Sequence, residues 1–235
     1  MENLRNKLLE RYLLAIKKVR PFCKHTSSIF ERASEYIDIL VKALKLVKYK
    51  KDIPGHELEH TFRVLELSLL IGCQENADLS KLALAALLHD VGRWVDNPGK
   101  NHAEISAEIT MKILGNNYYS REIAEIIREH SFSAHKKPSN IESAVLQDAD
   151  KIDALGAIGV ARVFAYGGYL GRPIYKSILH VDKDSLGHFY EKILKLPEIM
   201  NTLTGKKIAE KRVKKVISFL QDIQEEIALK DILNL

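Results

Sequence analysis

Apolar residues recur at three- and four-residue intervals along most of this chain, which is the period of an amphipathic helix. The pattern is clearest in residues 204–229, where one apolar stripe consists of Ile208, Val213, Val216, Ile217, Leu220, Ile223 and Ile227. No alternating strand pattern of useful length, no internal repeat and no low-complexity tract interrupts the series. The sequence therefore predicts an all-α fold.

The same period sets the bounds of the other predicted helices, which are residues 4–19, 28–47, 60–73, 80–89, 102–114, 121–130, 141–155 and 185–196. Pro21 and Pro54-Gly55 break the pattern near the N-terminus, Ser80 is the expected cap of its helix, and Gly115 is the expected end of another. Residues 167–181 contain Gly167, Gly168, Gly171 and Pro173 and are predicted to form an irregular loop, which could cover a pocket.

Composition limits the class of protein. The chain has 235 residues, of which 46% are hydrophobic and 29% charged, enough for one large core or two small ones. No apolar run reaches membrane-spanning length, and residues 1–20 alternate charge with leucine, unlike a signal peptide. Cys23 and Cys73 do not form a CxxC pair, so we expect no disulfide framework, no cysteine zinc site and a reducing cytoplasmic location.

Two imidazoles and two carboxylates stand out within these helical patterns: His60, the dipeptide His89-Asp90, and Asp150. His60 begins a stripe that is otherwise core-facing, and Asp90 ends the apolar run 82–88, where burial without a cation or partner is costly. Such a mixed ligand set suits a borderline divalent cation and leaves coordination positions open for water and substrate. The pattern predicts metal-assisted hydrolysis. A satisfied core histidine, and a helix cap or salt bridge at Asp90, are the structural alternatives.

The residues around these ligands resemble three motifs of the HD-domain superfamily of metal-dependent phosphohydrolases. The matching segments are His60-Thr61-Phe62-Arg63-Val64, Leu87-Leu88-His89-Asp90-Val91-Gly92-Arg93 and Gln147-Asp148-Ala149-Asp150-Lys151-Ile152-Asp153-Ala154. Segments 188–192 and 200–207 are similar to the C-terminal part of small stand-alone bacterial and archaeal HD hydrolases. The resemblance covers roughly residues 53–224, so we expect an N-terminal helical extension over 1–50 and an HD-type hydrolase domain over 51–235.

The third motif offers two acidic residues, and helical periodicity does not choose between Asp148 and Asp150. The resemblance implies that Asp150 is the ligand, together with His60, His89 and Asp90, and makes Asp148 and Asp153 candidates for orienting ligands or basic side chains. It also implies a divalent ion, one of Mn, Ni, Co, Fe, Zn or Mg, and a small phosphorylated substrate, most plausibly a nucleotide. The net charge of +5 and a pI near 9.0 agree with an anionic substrate, although lysine-rich helical faces supply much of that charge.

Three basic residues near the motifs are candidates to bind the phosphate: Arg63, Arg93 and Lys151. A forked guanidinium matches phosphate oxygens well. Surface solvation is an equal explanation for Lys151 and for Lys136-Lys137. Arg93-Trp94 stands where pyrophosphate-removing alarmone hydrolases carry an acidic pair, so that activity is less supported.

His102 and His130 lie between the His-Asp dipeptide and Asp150, where binuclear HD proteins carry additional metal-ligating histidines. As helix-terminal residues they also have a purely structural explanation. We favour a single metal ion, because His60, His89, Asp90 and Asp150 already complete one hydrolytic site. Two iron ions would instead open the oxygenase chemistry of some binuclear relatives.

Two further functions stay open at this point. His56-Glu57-Leu58-Glu59-His60 matches the HExxH motif of zinc peptidases. Pro54-Gly55 places His56 at or before the helix start, however, so its side chain need not point toward the same metal as His60. The other alternative is a non-enzymatic helical protein that binds nucleic acid through its lysine faces, with a structural metal.

Overall fold

The computed structural model describes residues 2–97, 99–131, 137–176 and 184–232. These residues form helices and connecting turns without a strand, which confirms the predicted all-α class. The α-helices are α1 Glu2–Val19, α2 Ser27–Glu31, α3 Ala33–Leu46, α4 Leu58–Gln74, α5 Leu79–Leu88, α6 His102–Leu114, α7 Tyr118–His130, α8 Ile141–Asp153, α9 Gly156–Tyr169, α10 Ser185–Glu191 and α11 Leu203–Ile227. Short 3₁₀ helices occupy Arg20–Phe22, Val91–Trp94 and Ile193–Ile199. No helix in the described ranges combines the length and the apolar character that crossing a membrane requires.

The chain divides into two compact units, an N-terminal unit of Met1–Asp150 and a C-terminal unit of Lys151–Leu235. In the N-terminal unit, α4 packs against α5 and α6 packs against α7, while α1 contacts α3 and α4. The largest fully buried side chains of its core include Tyr12, Tyr36 and Phe62. In the C-terminal unit, α11 packs against α9 and the 3₁₀ helix Ile193–Ile199. The predicted division after residue 50 stays a prediction.

Most predicted helices agree with the structure to within a few residues, and the differences have local causes. The predicted helix 28–47 is interrupted at Arg32, between α2 and α3. The side chain that caps α5 is Asp78 and not Ser80, because the carboxylate of Asp78 accepts hydrogen bonds from the backbone N–H groups of Ser80 and Lys81. Gly115 ends α6 with a φ of 80°, as its position predicts.

The predicted loop over residues 167–181 is wrong in its first part, because α9 continues through Gly167 and Gly168 to Tyr169. Gly167 serves close packing here: a Cβ atom at this position would lie 2.3 Å from Ser185 Oγ. Residues 170–176 are non-helical, and residues 177–181 lie outside the described residues.

The expectation that the two cysteines form no disulfide framework is also wrong. Cys23 and Cys73 form a disulfide, with Cα atoms 5.9 Å apart and a sequence separation of 50. Cys23 follows the short helix after α1, and Cys73 lies in the last turn of α4. The packing of α1 against α4 brings these distant positions together, so sequence spacing alone does not indicate the pairing.

Candidate metal centre

Five elements of the N-terminal unit deliver imidazoles and carboxylates to one place. His60 lies in the first turn of α4, and His89 and Asp90 follow the last residue of α5. His102 is the first residue of α6, His130 is the last residue of α7, and Asp150 is on α8. His60, His89, Asp90 and His130 are at most 3% exposed. Helix ends therefore converge on a buried, polar centre.

Four donor atoms in this centre have mutual distances that suit a single divalent ion. His60 Nε2 lies 3.3 Å from His89 Nε2, 3.4 Å from Asp150 Oδ1 and 3.6 Å from Asp90 Oδ2, and His89 Nε2 lies 3.7 Å from Asp90 Oδ2. Ligand atoms bound about 2.1 Å from one ion are separated from each other by about 3.0 to 3.4 Å, depending on geometry. A small inward adjustment would bring this set to coordination distance. The residues present therefore fit a divalent metal ion.

Backbone carbonyls orient two of the imidazoles. His89 Nδ1 lies 2.8 Å from the carbonyl oxygen of Ala86, and His130 Nδ1 lies 2.6 Å from that of Ile127. In the neutral imidazole, Nδ1–H then donates to the carbonyl, which leaves the lone pair on Nε2. Both Nε2 atoms point into the centre, as metal-ligating histidines with a fixed outer hydrogen bond do.

A second set of donor atoms surrounds the other oxygen of Asp90. Asp90 Oδ1 lies 3.4 Å from His102 Nε2 and 3.6 Å from His130 Nε2. Among the described residues, Asp90 Oδ1 and His130 Nε2 are buried without a hydrogen-bond partner. Buried polar atoms of this kind usually have a partner, so the described residues leave one carboxylate oxygen and one imidazole nitrogen available as ligands here. His102 and His130 are helix-terminal, as expected, and they also face Asp90.

Burial and neighbouring charges shift the pKa values of this cluster. Burial lowers the pKa of His89 to about 4 and that of His102 to about 3. Burial by itself would raise the pKa of Asp90, but the Arg93 guanidinium and the surrounding imidazoles hold it well below its usual range. Burial opposes ionisation of Asp150 as well, yet nearby His60 and His89 lower its pKa. At neutral pH His89 and His102 are therefore neutral, and Asp90 and Asp150 are ionised, which are the forms that bind metal ions.

The Arg93 side chain takes part in the same centre. Its Nε lies 2.7 Å from Asp90 Oδ2, and its Nη2 lies 3.0 Å from His102 Nε2. The side chain is 24% exposed, and no described residue accepts a hydrogen bond from Nη1. Arg93 thus compensates the charge of Asp90 and keeps donors for an anionic ligand.

His56 is the residue of this centre that the sequence did not identify as a ligand. The chain turns at Gly55, with a φ of 80°, and His56 pairs with Ile53 in an isolated bridge just before α4. His56 Nδ1 lies 3.0 Å from Asp90 Oδ2, so His56, His60 and Asp90 form a further group that could hold a metal. The sequence signal for His56 was the HExxH spacing that it shares with His60. His56 lies before the helix, as predicted, but its side chain does approach the same carboxylate as His60.

The remaining candidate residues have other contacts. Arg63 donates from Nη2 to Glu57 Oε1 at 3.1 Å. Asp148 is fully buried on α8. Within the C-terminal unit, Lys151 Nζ donates to the carbonyl oxygen of Ile199 at 3.1 Å, and Asp153 Oδ2 accepts from Arg162 at 2.9 Å. The phosphate-binding and orienting roles of these residues stay predictions, and Lys136 lies outside the described residues.

Comparison with known proteins agrees with this site. The family model of the HD domain matches residues 58–155, the segment that contains all three motifs. YpgQ of Bacillus subtilis is 33% identical over 179 residues, which are 74% of this chain and 85% of YpgQ. An HD-superfamily hydrolase from Bacillus thuringiensis, whose crystal structure is known, is 33% identical, with a TM-score of 0.62 over 82% of this chain and 98% of that one.

A fold of helices around a buried His-Asp cluster defines a protein of the HD class. On these matches, the chain belongs to the HD domain family. The crystal structure of YpgQ in complex with ADP superimposes with a TM-score of 0.63 and 29% identity over 80% of this chain and 97% of YpgQ. Ribonuclease Y of Sulfurovum is 32% identical over 117 residues, but this chain covers only 22% of that protein.

Proposed function

We propose that this protein is a metal-dependent phosphohydrolase that acts on a small phosphorylated compound. The observation that carries the proposal is the set of four donor atoms from His60, His89, Asp90 and Asp150, whose closest mutual distances are 3.3 to 3.7 Å. Three of these four side chains are almost completely buried, whereas the Asp150 side chain is 22% exposed. The centre is therefore accessible at Asp150, where a substrate oxygen could enter.

A divalent ion bound by these residues would polarise a phosphate oxygen and lower the pKa of a bound water. The protein's own residues have separate tasks. His89 is held in the correct tautomer by the Ala86 carbonyl, and Asp90 stays ionised beside Arg93. The unoccupied Nη1 of Arg93 is the donor best placed within the centre to bind a phosphate oxygen and offset its charge.

Nucleotides are the proposed substrate class. Support comes from the relative YpgQ, whose crystal structure contains ADP, and from the net positive charge of this chain. The proposal does not specify the nucleotide base. Arg93 offers a hydrogen-bond donor to the phosphate, but no described contact identifies a base-binding group.

The test is a metal-and-substrate panel on the untagged protein. The protein is loaded with Mn²⁺, Co²⁺, Ni²⁺, Zn²⁺ or Mg²⁺ and assayed with nucleoside mono-, di- and triphosphates and with phosphodiesters. We expect at least one metal to support release of phosphate or pyrophosphate, and Asp90→Ala to abolish both metal binding and release. Metal-loaded wild type that cleaves none of these compounds would contradict the proposal.

Replacement of Arg93 tests the phosphate contact. Loss of one charge-assisted contact to a phosphate in the transition state costs about 2 to 4 kcal/mol, or a factor of about 30 to 1,000 in turnover. We therefore expect Arg93→Ala to turn over substrate more slowly while it retains the metal of the four-residue site. Arg128→Ala is the matched control, because Arg128 is similarly exposed at 27% but pairs with Glu104 and Glu125. Equal turnover of Arg93→Ala and wild type would remove Arg93 from the phosphate site.

Binding of nucleic acid is a second candidate, favoured by one surface. The first four turns of α11 expose five lysines that have no ion pair with a described residue: Lys206, Lys207, Lys211, Lys214 and Lys215. The test is binding to a generic DNA duplex at several salt concentrations, with a variant in which Lys207, Lys211 and Lys214 are replaced by glutamine. Salt-sensitive binding that this variant loses, in a protein without any phosphatase activity, would favour the second candidate.

A further inference from the structure

The donors around Asp90 Oδ1 form a second subsite, defined by Asp90 Oδ1, His102 Nε2 and His130 Nε2. His130 presents its Nε2 lone pair because Nδ1 is hydrogen-bonded to Ile127. His102 Nε2 lies 3.0 Å from Arg93 Nη2. Because a guanidinium has no acceptor, His102 must present a lone pair at Nε2 as well. The chain therefore offers two imidazole nitrogens and a carboxylate oxygen in addition to the donors of the four-residue site.

Arg93 contacts this subsite through His102. Its Nη2 uses the same His102 lone pair that a metal ion would need, and its Nε holds the guanidinium beside the same carboxyl group, 2.7 Å from Asp90 Oδ2. The guanidinium does not lose its charge at any pH that a folded protein experiences. A permanent positive charge at this position competes for the His102 ligand atom and also repels a divalent ion from the second subsite.

The backbone keeps Arg93 in place. Arg93 belongs to the short 3₁₀ helix Val91–Trp94, whose Gly92 N–H donates to Ser106 Oγ on α6 at 2.8 Å. A Cβ atom on Gly92 would lie 2.2 Å from the carbonyl oxygen of His102, so the two backbones are in close contact. This contact fixes Arg93 relative to the α6 residue with which it bonds.

We infer that Arg93 is a built-in cation that prevents a metal ion from binding to the second subsite. The chain then binds a single divalent ion although it contains ligands for two. The inference rests on the proposed function only in that the first ion belongs to His60, His89, Asp90 and Asp150. Without a second ion, the protein lacks the two-iron site that the oxygenase chemistry of binuclear relatives requires.

Metal stoichiometry tests the inference without an activity assay. Wild type, Arg93→Ala and Arg93→Gln are saturated with Mn²⁺, dialysed against a low Mn²⁺ concentration and analysed for metal per chain, with circular dichroism as the measure of folding. We expect wild type to retain one equivalent and both Arg93 variants to retain a second. The double variant Arg93→Ala/His102→Ala should return to one equivalent, and the control Arg128→Ala should not differ from wild type. Arg93→Gln keeps most of the side-chain volume, so it serves if Arg93→Ala does not fold.

Two results would overturn the inference: two tightly bound equivalents in wild type, or one equivalent in every folded Arg93 variant. These outcomes are independent of the hydrolytic proposal. If no phosphorylated compound is cleaved but the metal count rises in the Arg93 variants, only the proposed function fails. If substrate is cleaved and the count stays at one, only the inference fails.

Discussion

Asp90 shows how a single side chain can organise the whole centre. It is 3% exposed, and a carboxylate at that depth is costly to ionise without compensation. Its Oδ2 approaches His56 Nδ1 at 3.0 Å and Arg93 Nε at 2.7 Å, while Oδ1 faces His102 and His130. The two oxygens therefore contact different neighbours. Asp90 thus connects the four-residue site with residues that lie outside it.

Replacement of Asp148 and of Asp150, both on α8, tests which of the two belongs to the four-residue site. Asp150 Oδ1 lies 3.4 Å from His60 Nε2. Asp148 is fully buried and belongs to none of the metal-binding groups that the described His and Asp residues form. We expect Asp150→Asn to lose the metal, and Asp148→Asn to keep it with weaker turnover. Metal per chain and turnover are measured on both variants. The reverse pattern would shift the site by two residues.

The histidines of the centre predict how the stability of the metal-free protein depends on pH. The pKa of His89 is about 4 in the folded protein and about 6.5 in the unfolded chain, so the unfolded state binds more protons between these values. The free energy of unfolding should therefore fall by up to about 3 kcal/mol as the pH decreases from about 6.5 to about 4. His102, whose pKa is lowered to about 3, adds a loss in the same direction.

Urea denaturation of metal-free protein at pH 7.5, 6.0 and 4.5 checks this dependence. The ionised carboxylates Asp90 and Asp150 have lowered pKa values, so their contribution is lost only at lower pH, below about 4. His89→Gln should show a weaker dependence than wild type above that range. An unchanged free energy of unfolding across the three pH values would mean that these imidazoles are not buried in neutral form.

At the level of elements, the sequence predicted what local periodicity determines. The apolar stripe that begins at His60 predicted both α4 and its inward face, and the run before His89 predicted α5. Periodicity did not identify His56 as a ligand, because this residue lies outside any periodic segment, in the turn before α4. The helical conformation at Gly167 was not predicted for a similar reason, since its close neighbour Ser185 belongs to a later helix.

The contact between the 3₁₀ helix Val91–Trp94 and α6 predicts the effect of a single methyl group. In Gly92→Ala the new Cβ would lie 2.2 Å from the carbonyl oxygen of His102 and 2.9 Å from the Ser106 nitrogen, which are both backbone atoms. The two elements must separate, at a cost of about 1 to 3 kcal/mol. Movement of α6 should also disturb the pairing of Arg93 with His102.

Urea denaturation and metal analysis measure both effects. Gly99→Ala is the control, because a Cβ atom there has nothing within 4 Å. We expect a lower free energy of unfolding in Gly92→Ala and no comparable loss in Gly99→Ala. If the two variants are equally stable, the close approach of Gly92 to α6 is not a constraint on the fold.

At the level of the molecule, the N-terminal helices are part of the N-terminal unit and not a loose appendage. α1 packs against α4, α3 packs against α5 and α6, and the disulfide joins Cys23 to the last turn of α4. The family resemblance did not cover these residues, and the cysteines are 50 positions apart, so only the packing of distant helices shows the connection. The predicted cytoplasmic location is a separate matter and stays a prediction.

The disulfide predicts that reduction destabilises the protein. Closing a loop of this length removes conformational entropy from the unfolded chain worth about 4 kcal/mol. We expect guanidinium denaturation to give a correspondingly lower free energy of unfolding in the presence of a reductant. The double variant Cys23→Ser/Cys73→Ser should have the lower stability under both conditions and no response to the reductant. Mass spectrometry after alkylation of unreduced, denatured protein determines the thiol state. Two alkylated cysteines per chain would show that the bond does not form. Equal stability of the wild type with and without reductant would contradict a stabilising link between the N-terminal helices and the helix that carries His60.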